Sequence, residues 1–252
     1  MDETVPTRGI THLVEHLALS SLGDRPYGHN GQVELTKTRF MASGTPEQVS
    51  DFVRTVTTNL LNPPLDRLDQ EKRILRIEAV NRNQRSPKGV LSWRYGAGSL
   101  GLADYEEFGL RWLTADWVQH WAHLMFNSAN AVLWIAGNLP SDLEITLPIG
   151  EKHAQGPCNP LPYGYPAQYH EGDRWTALSM TGARSLALVV GGYVLDRRVR
   201  QKIRFQEAIA YDVGASYNAI SPNEAELRLV SDALAANAPA AALAMVECVR
   251  DV

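Results

Sequence analysis

The stretch His12-Leu13-Val14-Glu15-His16 decides the interpretation of this chain, and it lies within Ile10–Leu22, whose apolar residues recur at helical spacing. Residues i and i+4 share one face of a helix, so His12 and His16 can offer two imidazoles to one metal ion, with Glu15 beside them. The alternative is two surface histidines next to an acid on an amphipathic helix. The motif favours a metal site.

The composition bounds the class of protein. A chain of 252 residues allows one large domain or two small ones, and 44% hydrophobic content is ordinary for a globular protein. Two cysteines, Cys158 and Cys248, cannot build a disulfide scaffold or a cysteine zinc site. The net charge of −4 argues against nucleic-acid or membrane-surface partners, and no signal peptide or membrane span is evident. We therefore expect a cytoplasmic location.

Predicted helices and strands alternate along the first half of the sequence. Thr45-Pro46 predicts a helix start, because Thr is a good N-cap and Pro suits the first helical position. The other predicted elements are a strand over Gln32–Ala42, a helix from about Asp66 to Arg85, a helix from Thr114 to Asn127 and a buried strand over Ala131–Gly137.

The second half begins after a segment rich in Gly and Pro. We predict a module over 1–148, a linker over 149–172 and a second module over 173–252. The elements predicted there are strands over Ser185–Val194, Tyr211–Asn218 and Ala225–Val230, a basic helix over Asp196–Glu207 and a final helix from Pro239.

A catalytic zinc needs a third protein ligand and an open position for water. Glu71 and Glu78 are candidates, because they are seven residues apart and share one helix face. The alternative is a solvated face, on which Glu78 forms an ordinary pair with Arg82.

The motif His12-Leu13-Val14-Glu15-His16, followed by Glu71 and Glu78, resembles the pitrilysin/insulinase family of inverted zinc metallopeptidases, which is related to mitochondrial processing peptidase. The resemblance implies an α+β fold of mixed, mostly antiparallel sheets covered by helices in repeated modules. It implies one Zn²⁺ per chain on His12, His16 and Glu78, with Glu15 as general base and Glu71 as a supporting acid near the site.

The resemblance also implies residues that hold substrate. Asn30-Gly31 resembles the Asn-Ala of the family's edge strand, which pairs with a peptide backbone. Arg204 and Tyr211 resemble an Arg-x6-Tyr pair that reaches the substrate from the second module. The alternatives are a surface charge for Arg204 and a strand core position for Tyr211.

The chain departs from the family at both ends. Only 11 residues precede the motif, and the second module stops after its first strand and helix unit. We therefore expect a chain shortened at both ends, or a homo-oligomer or related partner subunit that completes the sheets. The predicted function is zinc-dependent peptide hydrolysis in a cleft between the modules. The alternative is an inactive family member that serves as a peptide-binding or structural subunit.

Overall fold

The computed structural model describes residues 2–82, 89–154, 156, 158–168 and 175–251, which divide into two compact units. The first unit consists of Met1–Arg82 and Glu106–Pro157, and the second of Asn83–Tyr105 and Cys158–Val252. Helices and antiparallel sheets occur together, which confirms the predicted α+β class. None of the helices in these described ranges is long and apolar enough to cross a membrane.

The helices and strands are as follows in chain order. The helices are α1 (Ile10–Leu19), α2 (Pro46–Leu61), α3 (Leu68–Arg82), α4 (Val90–Tyr95), α5 (Ala115–Met125), α6 (Leu186–Val199) and α7 (Ala238–Arg250). The strands are β1 (Gly28–Val33), β2 (Thr38–Ser43), β3 (Thr176–Ala183), β4 (Val213–Ala219) and β5 (Glu224–Ser231).

Helix α1 runs through the core of the first unit. Its apolar face is fully buried and packs against α2, α3, α5 and β1. The buried Glu3 carboxylate accepts hydrogen bonds from the backbone N–H groups of Gly9 (3.1 Å) and Thr11 (3.0 Å), which are otherwise unsatisfied at the start of α1. Glu3 also pairs with Arg8 at 2.9 Å. The metal motif is therefore carried on a helix fixed at its first turn and along its apolar face.

Several predicted helices are confirmed. Helix α2 begins at Pro46 after the Thr45 cap, whose hydroxyl accepts a hydrogen bond from Gln48 N. Helix α5 follows Thr114 as expected. The helix predicted from Asp66 starts as a short 3₁₀ turn at Leu65–Arg67 and continues as α3, and the predicted end at Arg85 lies outside the described residues.

The strand predicted over Gln32–Ala42 is instead a hairpin. Strands β1 and β2 pair antiparallel, with Gly31 opposite Phe40, and the chain turns between them where Glu34 N donates to Lys37 O at 2.8 Å. The prediction is wrong because apolar residues alternate on both sides of the turn, so the pattern alone does not reveal the turn between Glu34 and Lys37. The correction matters for the site, since β1 contacts α1 and carries Asn30 and Gly31.

The predicted buried strand over Ala131–Gly137 is also wrong. This segment forms no strand, and Val132 and Trp134 are 95% and 82% exposed. The apolar run indicates that the segment suits burial. It does not establish that a neighbouring strand covers it.

The second unit contains a three-stranded antiparallel sheet in the order β3-β5-β4, with α6 and α7 packed against it. Strands β4 and β5 and helix α7 confirm the predictions for these regions, whereas β3 was not predicted. The strand predicted over Ser185–Val194 is helix α6, because the Ser185 hydroxyl caps Leu188 N at 3.1 Å. The predicted basic helix is its continuation, which ends in a π-helical turn at Arg200–Gln206.

Candidate metal centre

Two histidines of α1 and a glutamate of α3 converge in the first unit. Glu78 Oε2 lies 3.4 Å from His16 Nε2 and 3.7 Å from His12 Nε2. The imidazole rings lie edge to face with centroids 4.8 Å apart. The i, i+4 spacing on α1 gives both rings the same direction.

These distances fit a tetrahedral zinc site. Zinc binds imidazole nitrogen and carboxylate oxygen at about 2.0–2.2 Å, so two ligand atoms on a tetrahedral ion lie about 3.3–3.6 Å apart. The separations of 3.4 and 3.7 Å from Glu78 match that edge within about 0.1–0.2 Å. His12, Glu15 and His16 also form a compact donor group, with ligand atoms within 4.8 Å of one another, that can hold a metal ion.

Each histidine has a carboxylate on its second ring nitrogen. Glu107 Oε1 lies 2.9 Å from His12 Nδ1, and Glu71 Oε2 lies 3.4 Å from His16 Nδ1. An ionised carboxylate only accepts hydrogen bonds, so each imidazole donates from Nδ1, which leaves Nε2 as the nitrogen that can bind a metal ion. Such carboxylate–histidine pairs orient metal ligands and raise their basicity.

Glu71 is itself held in place. It is 4% exposed, and its Oε1 accepts hydrogen bonds from Arg67 Nε at 3.3 Å and Nη2 at 3.0 Å. Arg67 and Glu71 are four residues apart at the start of α3, where a negative side chain also interacts favourably with the helix dipole. Glu71 therefore contacts Nδ1 of His16, whereas Glu78 lies next to its Nε2.

The surroundings of His12 carry excess negative charge. Burial alone lowers the pKa of His12, but the hydrogen bond to Glu107 and the charges of Glu107, Glu78 and Glu15 outweigh it and raise the pKa above its ordinary value. A group of side chains that favours positive charge and presents imidazole nitrogen suits a divalent transition metal. The donor set therefore fits zinc both in geometry and in charge.

Glu15 is buried beside the two histidines. Its Oε2 lies 3.8 Å from both His12 Nε2 and His16 Nε2, and the residue is 4% exposed. The backbone of Gly31 on β1 approaches it so closely that a Cβ at this position would overlap Glu15 Oε1 and lie 2.7 Å from Cδ. The absence of a side chain at Gly31 therefore leaves room for this carboxylate.

Strand β1 presents an edge next to the site. It pairs with β2 on one side, and among the described residues no strand pairs with its other side. An extended peptide can add to such an edge through main-chain hydrogen bonds. Asn30 and Gly31 lie in this strand, and Gly31 is the position that contacts Glu15.

Arg204 and Tyr211 lie together in the second unit. The Arg204 guanidinium carbon is 4.2 Å from the centre of the Tyr211 ring and 5.3 Å from that of Phe205. Arg204 belongs to the π-helical turn, and Tyr211, 72% exposed, precedes β4. Tyr211 is therefore not a strand core residue, and a role of this pair toward substrate stays a prediction.

The structure brings His12, Glu15, His16, Glu71 and Glu78 into one constellation. Glu107, which sequence reasoning missed, completes it from a 3₁₀ region 95 residues beyond His12. Glu107 follows another acid and precedes Phe108-Gly109, a context without periodicity or motif. Only the folded chain could reveal it.

Comparison with known proteins finds solved structures with a similar fold but no matching family model or curated sequence. No protein-family model and no curated protein matches the sequence. The chain is similar in structure to a protease from Helicobacter pylori, with a TM-score of 0.69 and 15% identity over 98% of this chain and 71% of that one. It is also similar to the periplasmic protease PqqL from Escherichia coli, with a TM-score of 0.55 and 13% identity over 98% of this chain and 33% of PqqL.

The first half of PqqL matches with a TM-score of 0.53 and 14% identity, over 64% of that fragment. The chain thus spans about a third of PqqL and less than two thirds of its first half. These likenesses show that the chain shares the fold of these proteases, and it carries a His-x-x-Glu-His motif at His12, Glu15 and His16. The resemblance indicated by the motif is confirmed at the level of the fold.

Proposed function

We propose that this chain is a zinc-dependent endopeptidase that hydrolyses peptides or small unfolded polypeptides. The observation that carries the proposal is the convergence of His12 Nε2, His16 Nε2 and Glu78 Oε2 next to the buried Glu15 carboxylate. The fold shared with proteases supports the same reaction class. We propose one ion per chain, because the part of the chain that the structure describes contains one such group of ligands.

His12, His16 and Glu78 would hold the ion, while Glu107 and Glu71 fix the two imidazoles. Zinc, when bound with an open position, lowers the pKa of water to about 7 and polarises a carbonyl group. Glu15 accepts the proton from the attacking water and then donates it to the amine that leaves when the peptide bond breaks. Its Oε2, 3.8 Å from Nε2 of both histidines, lies beside the atoms that would hold the ion.

Substrate alignment would use the open edge of β1. A peptide in extended conformation pairs with the backbone around Asn30 and Gly31, so affinity depends on main-chain groups and sequence preference is loose. We also propose that Arg204 and Tyr211 contact the substrate, to which Tyr211 would offer a hydroxyl as a hydrogen-bond donor. Neither pairing with β1 nor contact with Arg204 and Tyr211 requires a particular side chain in the substrate.

The ligand set is tested with Glu78→Ala, measured as metal per chain by mass spectrometry after zinc loading and desalting. We expect about one zinc per wild-type chain and a large loss in the variant, because removal of one of three protein ligands weakens the site. Asp69→Ala is the matched control, since Asp69 is an exposed acid of the same helix. Unchanged metal content in Glu78→Ala would remove Glu78 from the ligand set.

The alternative function is that of a peptide-binding or structural subunit. Peptide cleavage measured together with zinc content distinguishes it from the enzyme. Cleavage of a fluorogenic peptide mixture that a chelator stops supports the enzyme. Zinc bound at one per chain with no turnover, together with retained peptide binding, would support the subunit instead.

We also propose that the chain acts as a homo-oligomer or with a related subunit. The segment 131–149 supports this, because it forms no strand and leaves apolar side chains exposed, with Val132, Trp134 and Ile149 at 95%, 82% and 97%. Light scattering after size-exclusion chromatography tests the proposal. A monomer that cleaves peptides at full rate would contradict it.

A further inference from the structure

The second unit contains a cavity that shares no residue with the metal centre. Its volume is about 420 Å³, and Trp93, Tyr105 and Tyr163 form much of its wall, with Leu161 beside them. The carboxylate of Asp104 also lines it. Three aromatic rings and one carboxylate around a common space form a defined chemical environment, which the peptidase reaction does not use.

The aromatic side chains combine accessibility with a fixed backbone. Trp93, Tyr105 and Tyr163 are 46%, 41% and 53% exposed, so a ligand can reach their rings. Leu161 N donates to Arg94 O at 2.7 Å, and Tyr163 N donates to Leu161 O at 2.8 Å, which fastens this wall to α4. The ring faces of Trp and Tyr carry negative potential and attract cations.

Asp104 supplies a full negative charge at the same place. Its Oδ2 accepts hydrogen bonds from the backbone N–H groups of Leu91 (2.5 Å) and Ser92 (2.7 Å), which fix the carboxylate against α4. No hydrogen bond from the described residues reaches its Oδ1, and none of their basic side chains forms an ion pair with it. The fixed carboxylate therefore keeps one oxygen for a ligand.

The positive charge that acts on Asp104 is already paired. Arg228 is the basic residue that influences Asp104, and its guanidinium is bound to the buried Glu226 by hydrogen bonds of 3.0–3.2 Å. Burial raises the pKa of Asp104 despite the two backbone donors and Arg228. A cation entering the cavity would relieve this unfavourable burial of charge.

We propose that this cavity is a binding site for an organic ammonium ion, with the alkyl groups against Trp93, Tyr105 and Tyr163 and the positive charge toward Asp104. Such ligands include a trimethylammonium group or the side chain of lysine in a peptide. Aromatic rings around a carboxylate suit this chemistry. A bare metal ion prefers several oxygen ligands, and an anion is repelled by Asp104.

The test compares a cation with its neutral isostere on the full chain. Choline and 3,3-dimethylbutanol have nearly the same shape, so isothermal titration of each isolates the contribution of charge. We expect choline to bind at one site per chain, with the alcohol at least about tenfold weaker. N-acetyl-lysinamide, titrated in parallel, distinguishes a peptide source from a small free ammonium ligand.

Variants assign the binding to this cavity. Trp93→Leu and Asp104→Asn should each weaken choline binding about tenfold or more, whereas Trp117→Leu, at another half-exposed tryptophan, should not. Tyr163→Leu provides a third variant at an exposed position if Asp104→Asn does not fold. Equal binding of choline and its neutral isostere, absence of choline binding at millimolar concentration, or unchanged affinity in Trp93→Leu and Tyr163→Leu would overturn the proposal. Binding is measured on metal-free chain, so failure of the metal centre does not affect the result.

Discussion

Glu107 Oε1 lies 2.9 Å from Nδ1 of His12, so an acid far along the sequence fixes the first histidine of the metal motif. Glu71 stands in the same relation to His16 at 3.4 Å. The shorter contact belongs to a residue outside the motif and outside the helix that carries Glu78. The centre therefore depends on three separate segments of the first unit.

Replacing Glu107 with Gln should weaken zinc binding by about 10- to 100-fold, because the amide can still accept a hydrogen bond but no longer carries the charge that makes the imidazole more basic. Competition with a chromogenic chelator measures the affinity. Glu106→Gln is the neighbouring control and should leave zinc affinity near wild type. Equal affinity in Glu107→Gln and wild type would show that the contact does not tune the metal centre.

Gly31→Ala should reduce peptide hydrolysis about 100-fold while zinc stays bound, because the added methyl group would displace the Glu15 carboxylate. Steady-state kinetics and metal content are measured on the same preparation. Gly28→Ala lies on the same strand in open space and should retain activity. If both variants cleave at the wild-type rate, Glu15 does not need the space that Gly31 provides.

In the second unit, the contacts of Asp196 make the stability of the folded state depend on pH. Asp196 accepts hydrogen bonds from Arg200 Nε and Ala215 N, both at 2.9 Å. Burial alone raises the pKa of Asp196, but these donors and the charge of Arg200 outweigh it, so the pKa lies below its ordinary value. A carboxyl group with a lowered pKa stabilises the folded state above its ordinary pKa, near about 4, and loses that effect as the pH falls through the lowered value.

Asp196→Asn should therefore lower the free energy of unfolding by about 1 kcal/mol at pH 7, and the difference from wild type should shrink below about pH 4. Urea denaturation followed by circular dichroism at several pH values measures this. Asp24→Asn, at an exposed loop position, serves as the control. A difference between Asp196→Asn and wild type that stays constant across this pH range would refute the assignment.

Local sequence signals predicted the parts of the fold whose causes are local. The Thr45-Pro46 start of α2 and the apolar face of α1 depend on residues within a few turns, so their prediction is confirmed. The start of α6 favours a strand by its sequence, because its leucine and β-branched residues have no clear helical period, whereas the Ser185 cap begins a helix there. Exposure of Trp134 depends on which segments lie beside it, which no local pattern encodes.

The candidate site divides in the same way. His12, Glu15 and His16 are neighbours on one helix turn, and Glu71 and Glu78 follow a helical spacing, so patterns could find them. Glu107 and the contact of Gly31 with Glu15 arise only when distant segments pack together. Tertiary packing therefore adds the residues that orient the predicted ones.

In the proposed function, Glu15 transfers the proton beside a zinc ion that His12, His16 and Glu78 would hold. The most direct measurement is the rate of peptide hydrolysis by zinc-loaded wild type and Glu15→Gln, with metal per chain determined on both. We expect about one zinc in each protein and a loss of hydrolysis of at least about 100-fold in Glu15→Gln. Wild-type hydrolysis by Glu15→Gln at equal zinc content would contradict it.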